Sequence, residues 1–210
     1  MKKRLLQRTQ PKQQRAKQTV ELILKTATEL IEEVGFEAFT TKLLAKRANI
    51  LIRNIYRYFP NKLAIISALA ERISTKQAEF IDNFSAVANP EIEWRDALAS
   101  TINAFVSAAL AEPAMLTIRD AMHGSPELKA IDEQTADDMA KSLAAAIKQR
   151  LPNFSDKTLH LISMMILNTS IAILDHGMME YYARRDEQRL SETIEELKKI
   201  LIGYMSNYVE

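Results

Sequence analysis

The sequence predicts an all-α protein of about nine helices. Only 4 Gly and 6 Pro interrupt the 210 residues, apolar side chains recur at spacings of three and four, and no useful length of chain alternates like a half-buried strand. Hydrophobic residues make up 47% of the chain, which is enough for the cores of one or two small domains. The predicted helices span residues 12–34, 41–48, 52–59, 61–84, 90–111, 113–123, 126–150, 155–183 and 187–208.

The first three helices are predicted from one long apolar stripe and two short segments behind it. The stripe covers residues 20–34, and Gly35 suits a left-handed residue just past a helix end. Thr40 or Thr41 is the expected cap of the second helix. A tight turn at Asn49 then separates it from the third helix.

The later helices are longer, and two of their starts share a pattern. In Asn89-Pro90-Glu91 and in Ser125-Pro126-Glu127, a capping side chain precedes a proline and an acidic residue. The eighth predicted helix is apolar on nearly every side over residues 159–174, so it should be covered all round.

The last predicted helix carries an apolar ridge with heptad spacing. Such a ridge packs along another helix, either within the same chain or in a second chain. We favour a two-chain four-helix bundle, because a ridge left exposed in a monomer would be a liability. The ridge consists of Leu190, Ile194, Leu197, Leu201 and Tyr204.

The net charge of +1 combines two oppositely charged halves. Residues 1–62 contain 14 Lys and Arg against 5 Asp and Glu, a net of +9, and residues 63–210 contain 14 against 22, a net of −8. A basic module attached to an acidic one predicts a polyanionic partner for the basic module. The first 20 residues contain seven basic residues and no acidic one. This segment is either a solvated, disordered tail or an arm that contacts DNA.

Two short helices joined by a tight turn, behind a longer helix, are typical of a helix-turn-helix. The DNA major groove admits one α-helix, so the exposed side of the third helix would face the base edges. That side carries Arg53, Asn54 and Arg57, whose side chains can bond guanine and adenine edges. The predicted phosphate contacts beside it are Tyr56, Tyr58 and Lys62.

Residues 40–62, above all the run Tyr56-Arg57-Tyr58-Phe59-Pro60-Asn61-Lys62, resemble the DNA-binding domain of the tetracycline-repressor (TetR/AcrR) family. The preceding segment Gly35-Phe36-Glu37-Ala38-Phe39 fits the same pattern, and the resemblance covers about residues 15–70. It implies nine or ten helices, a dimer formed by the last two long helices and a small-molecule ligand in the C-terminal domain. It also implies a phosphate contact from Thr41, with Lys42 beside it.

Three positions depart from the family pattern. Asn49 replaces the usual turn glycine but tolerates a left-handed backbone. Leu51 replaces a Ser or Thr cap, which removes a side-chain cap worth about 1 kcal/mol. Arg53 replaces a small residue and adds a long hydrogen-bond donor. These changes leave the predicted fold intact, whereas the operator sequence stays undetermined.

We therefore predict a basic arm at residues 1–14, a helix-turn-helix DNA-binding domain at 15–62, and an effector-binding and dimerisation domain at 63–210. The predicted function is a transcriptional repressor that binds a palindromic operator in double-stranded DNA as a homodimer. A small, largely apolar ligand between the predicted fifth and eighth helices would release it. Candidate ligand contacts, for which ordinary core packing is the alternative, are Trp94, Phe105, Met115, His123, Met164, Met165 and Asn168.

Asn168 is expected to lie among apolar neighbours on the eighth helix, where it would need a hydrogen-bond partner. The open alternatives for the whole chain are a DNA-binding regulator without an effector, a helical adaptor, or an enzyme. An enzyme could use His176 with Glu180, or Asp156 with His160.

Several absences narrow the function further. The sequence has no Gly-rich phosphate loop, nucleophile elbow or metal-ligand cluster, so no enzymatic activity, cofactor or metal is expected. Without cysteine, disulfides and Cys-based zinc sites are excluded. Neither a signal peptide nor a charge-free span of bilayer length is evident, so we expect a soluble, cytoplasmic protein with no membrane partner.

Overall fold

The computed structural model describes residues 5, 7–8, 13–81, 84–111 and 114–209, with the side chains of residues 73–81 left aside. In these residues every regular element is a helix, as predicted, and there are ten helices. They are α1 (Gln14–Ala38), α2 (Thr41–Arg47), α3 (Ile52–Tyr58), α4 (Lys62–Ile81), α5 (Phe84–Ala88), α6 (Trp94–Ala111), α7 (Ala114–His123), α8 (Pro126–Lys148), α9 (Asp156–Arg184) and α10 (Glu187–Met205). The extra helix is α5, most of which falls between the predicted fourth and fifth helices.

The capping chemistry of α1 and α2 agrees with the sequence. Gly35 has a φ of 74°, in the left-handed region, and one further helical turn follows it before α1 ends at Ala38. The hydroxyl of Thr40 accepts a hydrogen bond from the Leu43 amide at 3.1 Å, which caps α2.

The predicted start of the helix after residue 89 is wrong by four residues. Asn89 accepts a hydrogen bond from the amide of Glu91, so its side chain closes a local turn and does not begin a helix. Glu93 caps α6 in its place, because its carboxylate accepts hydrogen bonds from the amides of Arg95 and Asp96. The second proline pattern did predict a helix start, since α8 begins at Pro126.

The chain forms two compact units. The first comprises residues 1–75 and 113–132, and its core contains Ile23, Phe39 and Phe59 together with Ile118 and Leu128. This unit extends beyond the segment 15–62 that we predict as the DNA-binding domain. The first unit therefore uses later helices as structural support, while the functional boundary remains a prediction.

The second unit comprises residues 76–112 and 133–210, and its core is built by α6, α8, α9 and α10. The apolar ridge of α10 belongs to this core: Leu190, Leu197 and Leu201 are 6%, 0% and 2% exposed. Ile194 and Tyr204 are partly buried against it, and burial raises the pKa of Tyr204 to about 12. The prediction that this ridge is exposed in one protomer is wrong, because it packs against α9 and α6 of its own chain.

Within one protomer, helix α9 leaves one side uncovered, so the expected all-round cover would require a second chain. Spacings of three and four place six exposed residues in one stripe, which we call the exposed α9 face. Its members are Leu161 (61% exposed), Met165 (50%), Asn168, Ala172, His176 and Met179 (56%). By length and composition α9 is also apolar enough to cross a membrane, with 33% of its most apolar window buried.

Candidate nucleic-acid interface and apolar cavity

The helix-turn-helix is held from behind by apolar side chains. Leu44 of α2, Ile55 of α3 and Phe59 just after α3 are fully buried in the core of the first unit. Asn49 in the turn has a φ of 52°, so the substitution of glycine by asparagine keeps the left-handed turn. Leu51 precedes α3 and makes no side-chain cap, as expected because its side chain has no hydrogen-bonding group. The core thereby fixes which side of each short helix faces outward.

The outward side of this motif is basic. Residues 40–62 contain six Lys and Arg and no Asp or Glu. The side chains of Lys42 and Arg53 are exposed, and that of Asn54 is half-buried. These three make no hydrogen bond or ion pair through their side chains with the described part of the chain, so they are available to an external partner. Arg57 is exposed as well, with its guanidinium 5.8 Å from the centre of the Tyr58 ring.

Two hydroxyls join the start of α2 to α3. The Thr41 hydroxyl and the Tyr56 hydroxyl lie 3.1 Å apart, and either can donate the hydrogen bond. One hydroxyl hydrogen therefore remains for another acceptor, such as a phosphate oxygen. Sequence spacing placed Thr41 and Tyr56 in one motif but did not reveal that they act as a pair.

Tyr58 and Lys62 are less available than the sequence suggested. Tyr58 is 5% exposed and its ring packs in the core of the first unit, so a phosphate contact by its hydroxyl stays a prediction. The Lys62 ammonium donates to the Phe36 carbonyl at 3.2 Å and lies 4.2 Å from the centre of the Phe36 ring. Part of its charge and donor capacity thus serves the junction between α1 and α4. Side-chain direction on so short a helix depends on the core behind it, which spacing alone does not determine.

The basic arm contributes one contact that the sequence did not single out. Arg8 donates its backbone N–H to the Tyr58 carbonyl at 2.7 Å, and its guanidinium donates to the Tyr56 carbonyl at 3.2 Å. Both acceptors lie at the carboxyl end of α3, where helix carbonyls lack partners within the helix. The arm residues 1–4, 6 and 9–12 lie outside the described residues.

The second unit encloses an apolar cavity of about 70 Å³. It lies between α6, α8, α9 and α10, and thus between the two helices that we expected to enclose a ligand. Of the seven candidate ligand contacts, Trp94 and Phe105 line this cavity. Its other aromatic wall residue, Phe84, belongs to α5, which sequence reasoning did not recognise as a separate helix.

The other five candidates lie elsewhere. Met115 is buried in the core of the first unit, and His123 is an exposed residue of that unit whose Nε2 lies 3.1 Å from Asp132. Met164 is half-buried beside the core of the second unit without reaching the cavity. Met165 and Asn168 are on the exposed α9 face, so the expectation of a buried Asn168 is wrong.

Three of the four residues that an enzyme could use have other partners, and among them Glu180 pairs with Arg189 at 3.7 Å. Asp156 pairs with Lys148 at 3.0 Å, whereas His160 Nε2 lies 3.1 Å from a carboxylate oxygen of Asp137. A hydrogen bond from Lys141 lowers the pKa of Asp137 below its usual range. Across the described residues no group of three His, Cys, Asp or Glu side chains could hold a metal ion.

Two family models match the chain. Residues 23–81 match the model described as bacterial regulatory proteins, tetR family, and residues 93–205 match a tetracyclin repressor-like C-terminal domain. The second match alone covers more than half of the 210 residues.

Individual proteins are similar over different lengths. The class C tetracycline repressor protein of Escherichia coli is 34% identical over 91 residues, which are 43% of this chain and 39% of that protein. The chain therefore aligns with well under half of that relative. Among solved structures, a TetR-family regulator of Streptomyces coelicolor has a TM-score of 0.64 at 22% identity and covers 91% of this chain and 99% of its own. SmeT, the repressor of a Stenotrophomonas maltophilia multidrug efflux pump, has a TM-score of 0.64 at 16% identity, with 91% and 90% covered.

Proposed function

This chain belongs to the tetR family of bacterial regulatory proteins, and we propose that it is a transcriptional repressor that binds a palindromic operator as a homodimer. In this proposal, a small and largely apolar ligand releases the repressor from DNA in the cytoplasm. The family of the chain comprises transcriptional regulators with a helix-turn-helix, which makes an enzyme or an adaptor the weaker interpretation.

One observation carries the DNA-binding part of the proposal: the exposed side of the helix-turn-helix is basic and contains no acidic residue over positions 40–62. Arg53 and Asn54 are the proposed base-reading residues, because each type can make two hydrogen bonds to one base edge. The Thr41–Tyr56 hydroxyl pair, Lys42 and Arg57 are the proposed phosphate contacts beside them. Lys62 has a secondary part, since Phe36 already engages its ammonium group.

Selection from a library of random DNA duplexes tests this part directly. The wild-type protein should enrich inverted repeats whose half-sites are about 34–36 Å apart, or a multiple of that distance, as two-fold symmetry requires. Arg53→Glu should abolish the enrichment, because it reverses a charge on the reading face. Lys157→Glu is the matched control, since Lys157 is equally exposed but lies on α9. Equal enrichment by both variants would contradict the assignment of α3 as the reading helix.

The exposed α9 face supports the dimer part of the proposal. Leu161, Met165 and Met179 are each at least half exposed, and large apolar side chains exposed on one face of a helix often mark an interface. A second copy of the same helix fits it, because a two-fold axis pairs each residue with its symmetry mate in a self-complementary contact. The α10 ridge named in the sequence analysis, buried in its own protomer, cannot perform this role as a whole. The dimer face therefore moves to the outer side of α9.

Ligand control is supported by the apolar cavity of the second unit. A similar structure is described as a complex of SmeT with triclosan, at 16% identity and a TM-score of 0.64. A ligand that fills the cavity can release DNA only by its difference in affinity between the DNA-bound and free forms. Ligand release and DNA binding are therefore coupled reciprocally, which gives the proposal a thermodynamic test.

A further inference from the structure

We propose that the apolar cavity takes an uncharged, single-ring compound whose hydrogen-bond acceptor, such as a carbonyl oxygen, bonds Nε1 of Trp94. This inference rests on the proposed function for its regulatory consequence, whereas binding itself can be measured without DNA. It follows from the hydrogen bonds that the polar side chains of the described cavity walls do and do not make.

Trp94 is the wall residue with an unused donor. The residue is 8% exposed, and its buried indole Nε1–H has no hydrogen-bond partner among the described residues. The guanidinium of Arg95 lies 4.4 Å from the centre of the indole ring and leaves the N–H unsatisfied. A buried donor without an acceptor is costly, and buried indole N–H groups usually have partners. A ligand with an acceptor would satisfy this group.

The two hydroxyls on the cavity wall are already engaged. Thr101 donates to the Ala97 carbonyl at 2.8 Å, and Ser170 donates to the Ile166 carbonyl at 2.7 Å. Each bond lies within the residue's own helix, so neither hydroxyl hydrogen is left for a ligand. Among the described walls, Trp94 is thus the neutral donor that a ligand can use.

The one charged wall residue uses three of its five N–H donors within the chain. Arg150 donates from Nε to the Val87 carbonyl and from Nη2 to the carbonyls of Ala86 and Asn89. These carbonyls lie at the carboxyl end of α5 and just beyond it, where a cation is favourable. A ligand carboxylate would have the Nη1 donors of Arg150 as its charged partner, and it would lose its hydration among otherwise apolar walls. The cavity therefore favours an uncharged ligand.

The size and walls of the cavity limit the ligand to a small aromatic compound. Its volume of about 70 Å³ is roughly half that of an engineered cavity of about 150 Å³ that binds benzene. A single ring must therefore widen the cavity, while larger ring systems would displace more of the core. Phe84 and Phe105 offer ring faces for stacking, and Met205 has a flexible side chain that can change rotamer. Widening upon binding gives the ligand a means of favouring one conformation of this unit.

Fluorine NMR with three matched probes tests the proposal: 4-fluoroacetophenone, 4-fluoroethylbenzene without an acceptor, and 4-fluorobenzoate with a charge. We expect 4-fluoroacetophenone to bind the wild-type protein more tightly than either other probe. Trp94 is the only tryptophan of the chain, so quenching or a shift of its emission reports the same binding independently.

Trp94→Phe keeps an aromatic side chain, removes the donor and enlarges the cavity for both neutral probes. The ratio of their affinities therefore reports the donor: the preference for 4-fluoroacetophenone over 4-fluoroethylbenzene should fall by up to about tenfold, as expected for one lost neutral hydrogen bond. Thr101→Val is the control, because it removes a wall hydroxyl whose bond stays within α6 and should change neither affinity. Helical circular dichroism of each variant establishes that it is folded. If Trp94→Phe does not fold, the affinity order of the probes and the emission change in wild-type protein still decide the proposal.

Several results would overturn the inference. A Trp94→Phe variant that weakens both neutral probes equally would show that Nε1 is not the ligand's donor. Tightest binding by 4-fluorobenzoate would assign the cavity to anions through Arg150. Absence of binding by all probes in a protein that still selects operator DNA would refute the ligand class and leave the proposed repressor function standing.

Discussion

Replacing Met165 with glutamate should convert the dimer to folded monomers, whereas replacing Leu197 with glutamate should unfold the protein. Both are apolar residues of the last two long helices, and the sequence alone had assigned Leu197 to the dimer interface. The structure separates them, because Met165 is 50% exposed on the exposed α9 face and Leu197 is 0% exposed in the core. The pair therefore tests which side of the α9–α10 layer faces a second copy.

The expected magnitudes differ in kind. Burying the remaining half of a Met side chain is worth about 1 kcal/mol, and two-fold symmetry doubles it. Each carboxylate buried without a partner costs several kcal/mol more, so Met165→Glu should weaken the dimer by at least about 5 kcal/mol, more than a thousandfold in Kd. Leu197→Glu loses about 2–5 kcal/mol of core packing and adds an unpaired buried charge, which together reach the whole stability of a typical domain at about 5–15 kcal/mol.

Sedimentation velocity and thermal circular dichroism measure the two effects separately. Met165→Glu should sediment as a helical monomer with little loss of thermal stability, and Leu197→Glu should lose its cooperative transition. Ile92→Glu is the control: Ile92 is 37% exposed, precedes α6 and is not a member of the exposed α9 face, so this variant should stay dimeric and folded.

A Met165→Glu variant that remains dimeric would refute the assignment of the exposed α9 face to a second copy. A folded, monomeric Leu197→Glu variant would restore the α10 ridge as the interface. If the wild-type protein is monomeric and binds lipid vesicles, the exposed α9 face would be a membrane contact instead. This outcome has to be tested because α9 is apolar enough, by length and composition, to cross a membrane.

Three further predictions concern DNA reading, backbone geometry and coupling. Arg53→Ala should change operator preference at one base pair by about 1–3 kcal/mol, whereas Lys42→Ala should weaken binding to all DNA sequences about equally and flatten the salt dependence by roughly one unit. Salt titrations on cognate and mismatched duplexes separate the two effects. Uniform weakening by Arg53→Ala would make Arg53 a phosphate contact. Gly35→Ala should destabilise the protein by about 1–2 kcal/mol, because the φ of Gly35 is 74°. Gly203→Ala should stabilise it by about 0.5–1 kcal/mol, because an added Cβ in α10 meets nothing within 4 Å. Denaturant unfolding measures both free energies, and changes of the same sign would contradict this reasoning. Any ligand that weakens operator binding 100-fold must itself bind 100-fold more weakly in the presence of operator, which is a coupling free energy of about 2.7 kcal/mol. Ligand titrations with and without DNA measure this coupling. Equal ligand affinities would exclude induction by that ligand.

Turns and helix caps were predictable from the sequence where the backbone conformation favours one residue type. Gly35 and Asn49 have the left-handed φ values expected of them, and Thr40 caps α2. The prediction failed at Asn89, where two local uses of the same side chain compete and the turn to Glu91 prevails over a helix cap. Both outcomes depend on hydrogen bonds within four residues, but only the first has a single favourable solution.

The sequence by itself determined the all-helical fold, the helix-turn-helix and its basic outer side, because helical periodicity and charge are properties of neighbouring residues. Only the tertiary structure decided which apolar stripe is core and which is surface. The α10 ridge and the exposed α9 face have similar helical spacing, yet Leu197 is buried and Met165 is half exposed. The same holds for Tyr58, which is drawn into the core, and for Trp94, whose unpaired N–H appears once the cavity walls are assembled. Burial depends on distant segments that compete for the same apolar surface, and each helix can satisfy its own pattern with any of several partners.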